Sequence, residues 1–317
     1  MIRLHTSAGR RAVVGAVVWF GLFGYLRPLP SHIEWAQMLL LLAALVLVPI
    51  GLRIARRPPR SRLEVACLRW IGVMQLPAAF ALAVALLLPP GLSAALLAGC
   101  WFFVTLPVAI AGACRLWNHT PRAISDSCVA LGMIYLAIGG GWAVLSCGGL
   151  RPLGFEPAIV LLTAIHFHYA GFLLPSLTGL AIENRTDNIA RAAGIGVVAG
   201  VPLVAVGITA TQLGFEPWLE CAAAWITSVA GLLTAFLYWR LSRDSDIRGV
   251  VRLLWLGAAL SLAFGMILSA MYGSRFYLPL TWLDIPWMRA LHGTANAIGF
   301  GACGVFGWWI AKRVSDQ

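Results

Sequence analysis

Two short clusters of polar residues lie inside apolar stretches and carry side chains that can do chemistry. The first contains His166, His168 and Tyr169, and the second contains His292 and Asn296. Imidazole titrates near neutral pH, so these residue types suit proton relay or proton-coupled binding, and a His with a Tyr can also perform acid-base work. Because ionisable residues are costly inside a bilayer, each cluster predicts a functional role.

The spacing within each cluster decides which side chains share a face of a helix. His166 and His168, two residues apart, point about 200° away from each other on an ideal helix. His166 and Tyr169 are three residues apart, and His292 and Asn296 are four apart, so each of these pairs shares a face.

Gly171 and Pro175 predict a break in the helix that carries the first cluster. Pro175 has no N–H, which leaves the carbonyl of Gly171 without its helical partner. Irregular backbone at membrane depth is tolerated where protein or trapped water satisfies it, as at the binding sites of transporters with broken helices. The alternative is an ordinary proline kink packed against neighbouring helices.

The composition indicates a chain whose solvent is mostly lipid. Of its 317 residues, 60% are hydrophobic and 11% are charged, and the mean hydropathy is +0.85. A soluble domain carries roughly 25% charged residues. The net charge of +11 is divided among short gaps between apolar runs, which argues against a nucleic-acid surface.

Ten stretches are apolar enough to cross a hydrocarbon core about 30 Å thick, which takes roughly 20 residues in a helix. They predict an all-α polytopic transmembrane bundle of about ten helices, with residues 1–317 forming a single transmembrane domain. The stretches are 12–29, 33–52, 67–88, 92–114, 125–147, 157–180, 192–213, 218–240, 250–272 and 287–310.

The distribution of basic residues predicts the orientation of the bundle. All but four of the 23 Lys and Arg residues lie at the two ends of the chain and in alternate gaps. Because basic residues are retained in the cytoplasm, both termini are expected there, in a multi-pass protein of the bacterial cytoplasmic (inner) membrane. The four residues on the other side are Arg27, Arg151, Arg275 and Arg289.

Depth connects the two polar clusters. His166 and Asn296 each lie nine residues past the predicted outer end of their helices, which is about 13 Å at 1.5 Å per residue. His292 lies about 8 Å deep and His168 about 16 Å deep by the same measure. The four residues therefore occupy one layer in the outer half of the bilayer, and they form a single site if the sixth and tenth helices touch.

No cofactor or metal is predicted from these clusters. Facing imidazoles can hold haem or a metal ion, but three His are few, and no carboxylate lies at their depth to orient them. The sequence also lacks a phosphate-binding loop, a dinucleotide fingerprint, a zinc-protease helix and a hydrolase elbow, which argues against a soluble-type hydrolase or NTPase.

Two segments resemble the YndJ-like family of bacterial membrane proteins. They are HFHYAGF at 166–172, with Pro175 downstream, and MRALHGTANAIGF at 288–300. Such proteins are commonly labelled transporters, and the resemblance implies that the residues to carry over are His166, His168, Tyr169, Pro175, His292 and Asn296.

Three functions are compatible with the sequence. The first is a transporter-like protein whose small substrate or proton pathway passes through a His and Asn site. The second is a membrane enzyme acting on a lipid or isoprenoid, with His166 or His168 as acid-base groups, and the third is a non-catalytic partner of another membrane subunit. The expected partners are the lipid bilayer and a small-molecule or lipid substrate, with no nucleic acid, and no oligomeric state follows from the sequence.

Overall fold

The computed structural model describes residues 2–25, 31–59, 61–117, 124–183, 185 and 187–315, with residues 2–7 and 314–315 described by their backbone alone. Regular structure in these residues is helical, and none of them forms a strand. Arg27, one of the four basic residues expected on the side away from the cytoplasm, lies outside the described residues. The predicted all-α fold is confirmed.

Ten helices follow one another along the described part of the chain. Eight of them, α2 to α9, are long and apolar enough to cross a membrane. With α1 and α10 they match the ten predicted stretches, whereas the side on which the termini lie stays a prediction. The helices are α1 Ile2–Tyr25, α2 His32–Ile54, α3 Arg62–Leu87, α4 Leu92–Trp117, α5 Ile124–Cys147, α6 Pro157–Ala181, α7 Asn188–Gln212, α8 Trp218–Ser242, α9 Gly249–Gly273 and α10 285–315.

Local capping signals start several of these helices. Ser31 and Glu34 form a reciprocal capping box at the start of α2. Ser61 accepts a hydrogen bond from the backbone at the start of α3, and Asp187 does the same for α7. Pro157 is the first residue of α6, a position where its missing N–H costs no helical bond. Short polar sequences between the apolar runs therefore place the helix starts.

The helices group into two compact units. The first contains α1 to α4, most of α5, and α6 as far as Ser176. The second contains the beginning of α5 as far as Cys128, α6 from Leu177 onward, and α7 to α10. The expectation of a single domain over the whole chain stays a prediction.

α2 lies in the core of the first unit, and Pro49 in it leaves a backbone carbonyl to which α3 hydrogen-bonds. Residues Ala43–Leu47 are π-helical, and the N–H of Val48 reaches back five residues to the carbonyl of Ala43. In that register the carbonyl of Ala44 faces Pro49, which has no N–H to donate. The side chain of Gln75 on α3 donates its Nε2 to this carbonyl at 2.9 Å. Gln75 is fully buried, and its side chain supports the backbone of α2.

Ion pairs join helix ends within each unit. Because the ends of the spans lie nearest to water, the charged groups there avoid the low-dielectric middle of the membrane. The pairs are Glu64–Arg115 at 2.9 Å in the first unit, and Glu220–Arg275 at 2.7 Å and Asp187–Arg240 at 3.1 Å in the second.

Candidate functional site

The helix of the first polar cluster widens where the sequence predicts a break. Residues Phe167–Leu173 of α6 are π-helical, and the N–H of Leu174 reaches back to the carbonyl of Tyr169. The helix stays continuous through Gly171 and Pro175 and does not unwind. A π-helical register adjusts the hydrogen-bond ladder ahead of a residue that has no N–H, so the proline is accommodated without opening the backbone.

His168 is fully buried, and both of its ring nitrogens have partners. Its Nδ1 lies 2.7 Å from the carbonyl oxygen of Ala164, one turn earlier on α6. Its Nε2 lies 2.9 Å from Nε1 of Trp101 on α4, whose N–H is a donor only. Because a carbonyl only accepts, Nδ1 carries the proton and Nε2 is the acceptor. This pairing defines a neutral imidazole with one tautomer, which joins α4 to α6.

Close packing against α5 holds the imidazole of His168 in place. A side chain on Gly139 would put its Cβ 2.8 Å from Nδ1 of His168. The indole of Trp101 lies nearly parallel to this ring, with 6.0 Å between centroids and 19° between planes. His168 therefore has the contacts of a positioning residue, and neither Trp101 nor Gly139 could be identified from sequence spacing.

The other residues of the first cluster have different partners. The hydroxyl of Tyr169 donates to the carbonyl of Leu39 on α2 at 2.8 Å. His166 is half-buried, and its ring meets Phe167 edge to face at 5.7 Å. His168 and Tyr169, neighbours in sequence, thus bind to α4 and α2 respectively.

The second cluster forms a compact polar group between α9 and α10. His292 lies on a π-helical segment, Met288–Gly293, and its Nδ1 is 2.8 Å from the carbonyl oxygen of Gly265 on α9. Asn296 begins the second π-helical segment of α10 together with Ala295. Its Nδ2 donates to the carbonyl of His292 at 3.0 Å and lies 3.2 Å from both ring nitrogens of the same His.

One buried atom of the Asn296 amide lacks a hydrogen-bond partner in the described part of the chain. Because Nδ2 must face the carbonyl of His292, the orientation of the amide follows from its hydrogen bonds. Its Oδ1 is buried and has no hydrogen-bond partner among the described residues. Gly265 makes room for this amide, since a Cβ there would lie 2.6 to 2.9 Å from the atoms of the Asn296 side chain.

The two clusters belong to different units. His166, His168 and Tyr169 lie in the first unit, and His292 and Asn296 lie in the second. The single site that would join all five residues stays a prediction. Within the described ranges, no group of three His, Cys, Asp or Glu side chains is placed to hold a metal ion.

Comparisons with known proteins identify relatives of this chain. The pattern of the family described as "YndJ-like protein" matches residues 38–300. The chain is 31% identical over 306 residues to a protein of Bacillus subtilis (strain 168) described as "Uncharacterized membrane protein YndJ", and the match covers 95% of this chain. The chain spans about half of that relative, 53% of its length. No solved structure matches.

Proposed function

The chain is a multi-pass bacterial membrane protein of the YndJ-like family, and we propose that it acts as a transporter-like protein in that membrane. In this proposal a proton or a small polar solute passes by His292 and Asn296 in the second unit. The family name itself carries no activity, so the proposal rests on the chemistry of this group.

The observation that carries the proposal is the buried Oδ1 of Asn296, which has no donor among the described residues. A buried acceptor that receives no hydrogen bond costs about 1–3 kcal/mol of stability. A polar solute or a water that donates to it would remove that cost, so the amide is suited to transient binding. Its neighbour His292 donates through Nδ1 to Gly265, which leaves Nε2 as the basic nitrogen that can take up a proton.

The backbone around this group supports the same proposal. Nearly all residues from Met288 to Ala302 are π-helical. Such segments are rare and occur frequently at functional sites, because they change which side chains share a face. His168 in the first unit is less suited to acid-base work, since it is fully buried and both of its ring nitrogens have partners, whereas His292 is half-buried. The alternative of a lipid-modifying enzyme that uses His168 therefore has less support.

Flux measurements on purified protein in liposomes test the proposal with two probes. A trapped pH-sensitive dye reports proton flux, and swelling by light scattering reports the entry of urea or glycerol. We expect the wild type to exceed empty liposomes for at least one probe. His292→Ala and Asn296→Ala are each expected to reduce that flux about tenfold or more, the scale of one polar contact to a charged or transferring group.

The matched control is His32→Ala, which removes an exposed imidazole at the start of α2. This variant should retain wild-type flux. Wild-type protein no faster than empty liposomes for either probe would refute the transport proposal. Normal flux in both the His292 and the Asn296 variants would refute the assignment of the site.

A further inference from the structure

A cavity in the first unit lies apart from both polar clusters. It has a volume of about 160 Å³ and lies between α1, α2 and α3. Its walls are formed mostly by apolar side chains, with one carboxylate and one carboxamide among them. The lining residues are Leu22, Glu34, Gln37, Met38, Leu41, Ala83, Leu86 and Leu87.

The spacing of these residues places the lining on one face of α2 and on one face of α3. On α2, Glu34, Met38 and Leu41 follow one another at intervals of four and three residues, so they share one face. On α3, Ala83 and Leu87 are four residues apart and also share a face. The small side chain of Ala83 leaves space that a larger residue would fill.

The lining of the cavity has one charged group, the carboxylate of Glu34, and one neutral polar group, the amide of Gln37. One oxygen of Glu34, Oε2, accepts the backbone N–H of Ser31 at 2.6 Å in the capping box. No hydrogen bond to its Oε1 or to the amide of Gln37 is formed by the described residues. The described residues that line it include no Lys, Arg or His, so the carboxylate sets the charge of this lining, which favours a cation.

We propose that this cavity binds a small organic ammonium ion, with its charge on Glu34 and Gln37 and its apolar body against Met38 and Leu86. A cavity of about 150 Å³ with apolar walls accommodates benzene, so a body of about six carbon atoms fits the observed volume. A metal cation is a poorer match, because the remaining walls offer carbon atoms where such an ion needs oxygen ligands. The ammonium can belong to a free alkylamine or to the head group of an aminophospholipid.

Isothermal titration calorimetry of the protein in phosphatidylcholine nanodiscs tests this proposal. Hexylammonium is the probe, and empty nanodiscs are the blank. The neutral isostere hexanol and the anion hexanoate are titrated in parallel. We expect hexylammonium to bind and the two other compounds to bind about tenfold more weakly or not at all, because a charge-assisted hydrogen bond to the carboxylate distinguishes them.

Two variants separate the charge from the shape of the cavity. Glu34→Gln keeps the capping box, since Gln serves at this position as Glu does, and it should weaken hexylammonium about tenfold or more. Ala83→Leu fills the cavity without changing its charge and should abolish binding. Glu216→Gln removes an exposed carboxylate that does not line the cavity and should leave binding unchanged.

The lipid arm of the same experiment identifies the source of the ammonium. If phosphatidylethanolamine in the nanodisc weakens hexylammonium binding, the lipid head group occupies the cavity. If phosphatidylethanolamine has no effect, a free amine is the ligand. Both results support an ammonium site. Equal affinity of hexanol and hexylammonium would overturn the proposal and indicate a cavity for alkyl chains. Unchanged binding in Glu34→Gln would overturn it as well. None of these results depends on whether His292 and Asn296 take part in transport.

Discussion

Replacing Trp101 by Phe tests whether the indole holds His168. Trp101 is fully buried, and its N–H donates to Nε2 of His168 across 2.9 Å. Phe keeps an aromatic ring in the same place but has no N–H. The imidazole acceptor would then be buried with no donor, while its other nitrogen stays bonded to Ala164. We therefore expect Trp101→Phe to lower the free energy of unfolding.

The magnitude has two parts. Replacing an indole by a smaller ring leaves a void, which costs about 1–2 kcal/mol at this size, less than a full truncation to Ala. A hydrogen bond between membrane helices contributes about 0.6 kcal/mol on average and at most about 1.7 kcal/mol. The expected total for Trp101→Phe is therefore about 2–4 kcal/mol.

Trp255 provides a matched control in the second unit. It is also fully buried, but its Nε1 has no acceptor among the described residues. Trp255→Phe leaves a similar void, which costs about 1–2 kcal/mol, but it also removes a buried N–H that has no acceptor there, so its total cost should be smaller than that of the void alone. Reversible unfolding by SDS in mixed micelles, followed by circular dichroism, measures both variants on one scale.

A double-mutant cycle isolates the hydrogen bond from the void. His168→Ala is measured in the wild-type background and in the Trp101→Phe background. We expect a coupling free energy of about 0.6–1.7 kcal/mol between the two positions. If Trp101→Phe costs no more than Trp255→Phe and the cycle is additive, the bond has no role in stability and the reasoning is wrong.

Two further predictions concern the second unit. Gly265→Ala should cost about 1–3 kcal/mol of unfolding free energy by overpacking, because its Cβ would lie 2.6 Å from Nδ2 of Asn296. Gly257→Ala is the control and should cost little, since the nearest contact of its Cβ would be at 3.7 Å. Equal losses of stability in the SDS assay would contradict this packing. The backbone N–H of Ala190 holds the pKa of Asp187 below its usual range. That carboxylate therefore stabilises the protein above its unfolded pKa of about 4 and loses its effect as the pH falls through the folded value. Between about pH 6 and about pH 3 the melting temperature of Asp187→Asn should thus fall less than that of the wild type, and parallel curves would argue against the prediction.

Local features of the sequence predict part of the candidate site. His292 and Asn296 are four residues apart, and their side chains do meet on α10. Pro175 predicts irregular backbone near Gly171, and the structure has a continuous π-helical segment there, Phe167–Leu173, in place of the predicted break. These relations depend on the geometry of one helix, so spacing is sufficient to infer them.

Contacts between helices could not be predicted in the same way. The donor to His168 is Trp101, 67 residues earlier, and the acceptor for His292 is the carbonyl of Gly265, 27 residues earlier. Many apolar faces of a membrane helix are chemically alike, so no single spacing identifies which face meets which neighbour. The cavity beside Glu34 has the same origin, because three separate helices supply its walls.

The sequence by itself predicted an all-α membrane protein of about ten helices, a number that the described residues match. It could do so because the length of each apolar run and the caps at its ends act within one stretch of chain. Only the tertiary structure decided that both ring nitrogens of His168 have partners, whereas Oδ1 of Asn296 has none among the described residues. Whether a buried polar atom is satisfied depends on the donors that other helices bring to it, and that is a property of packing.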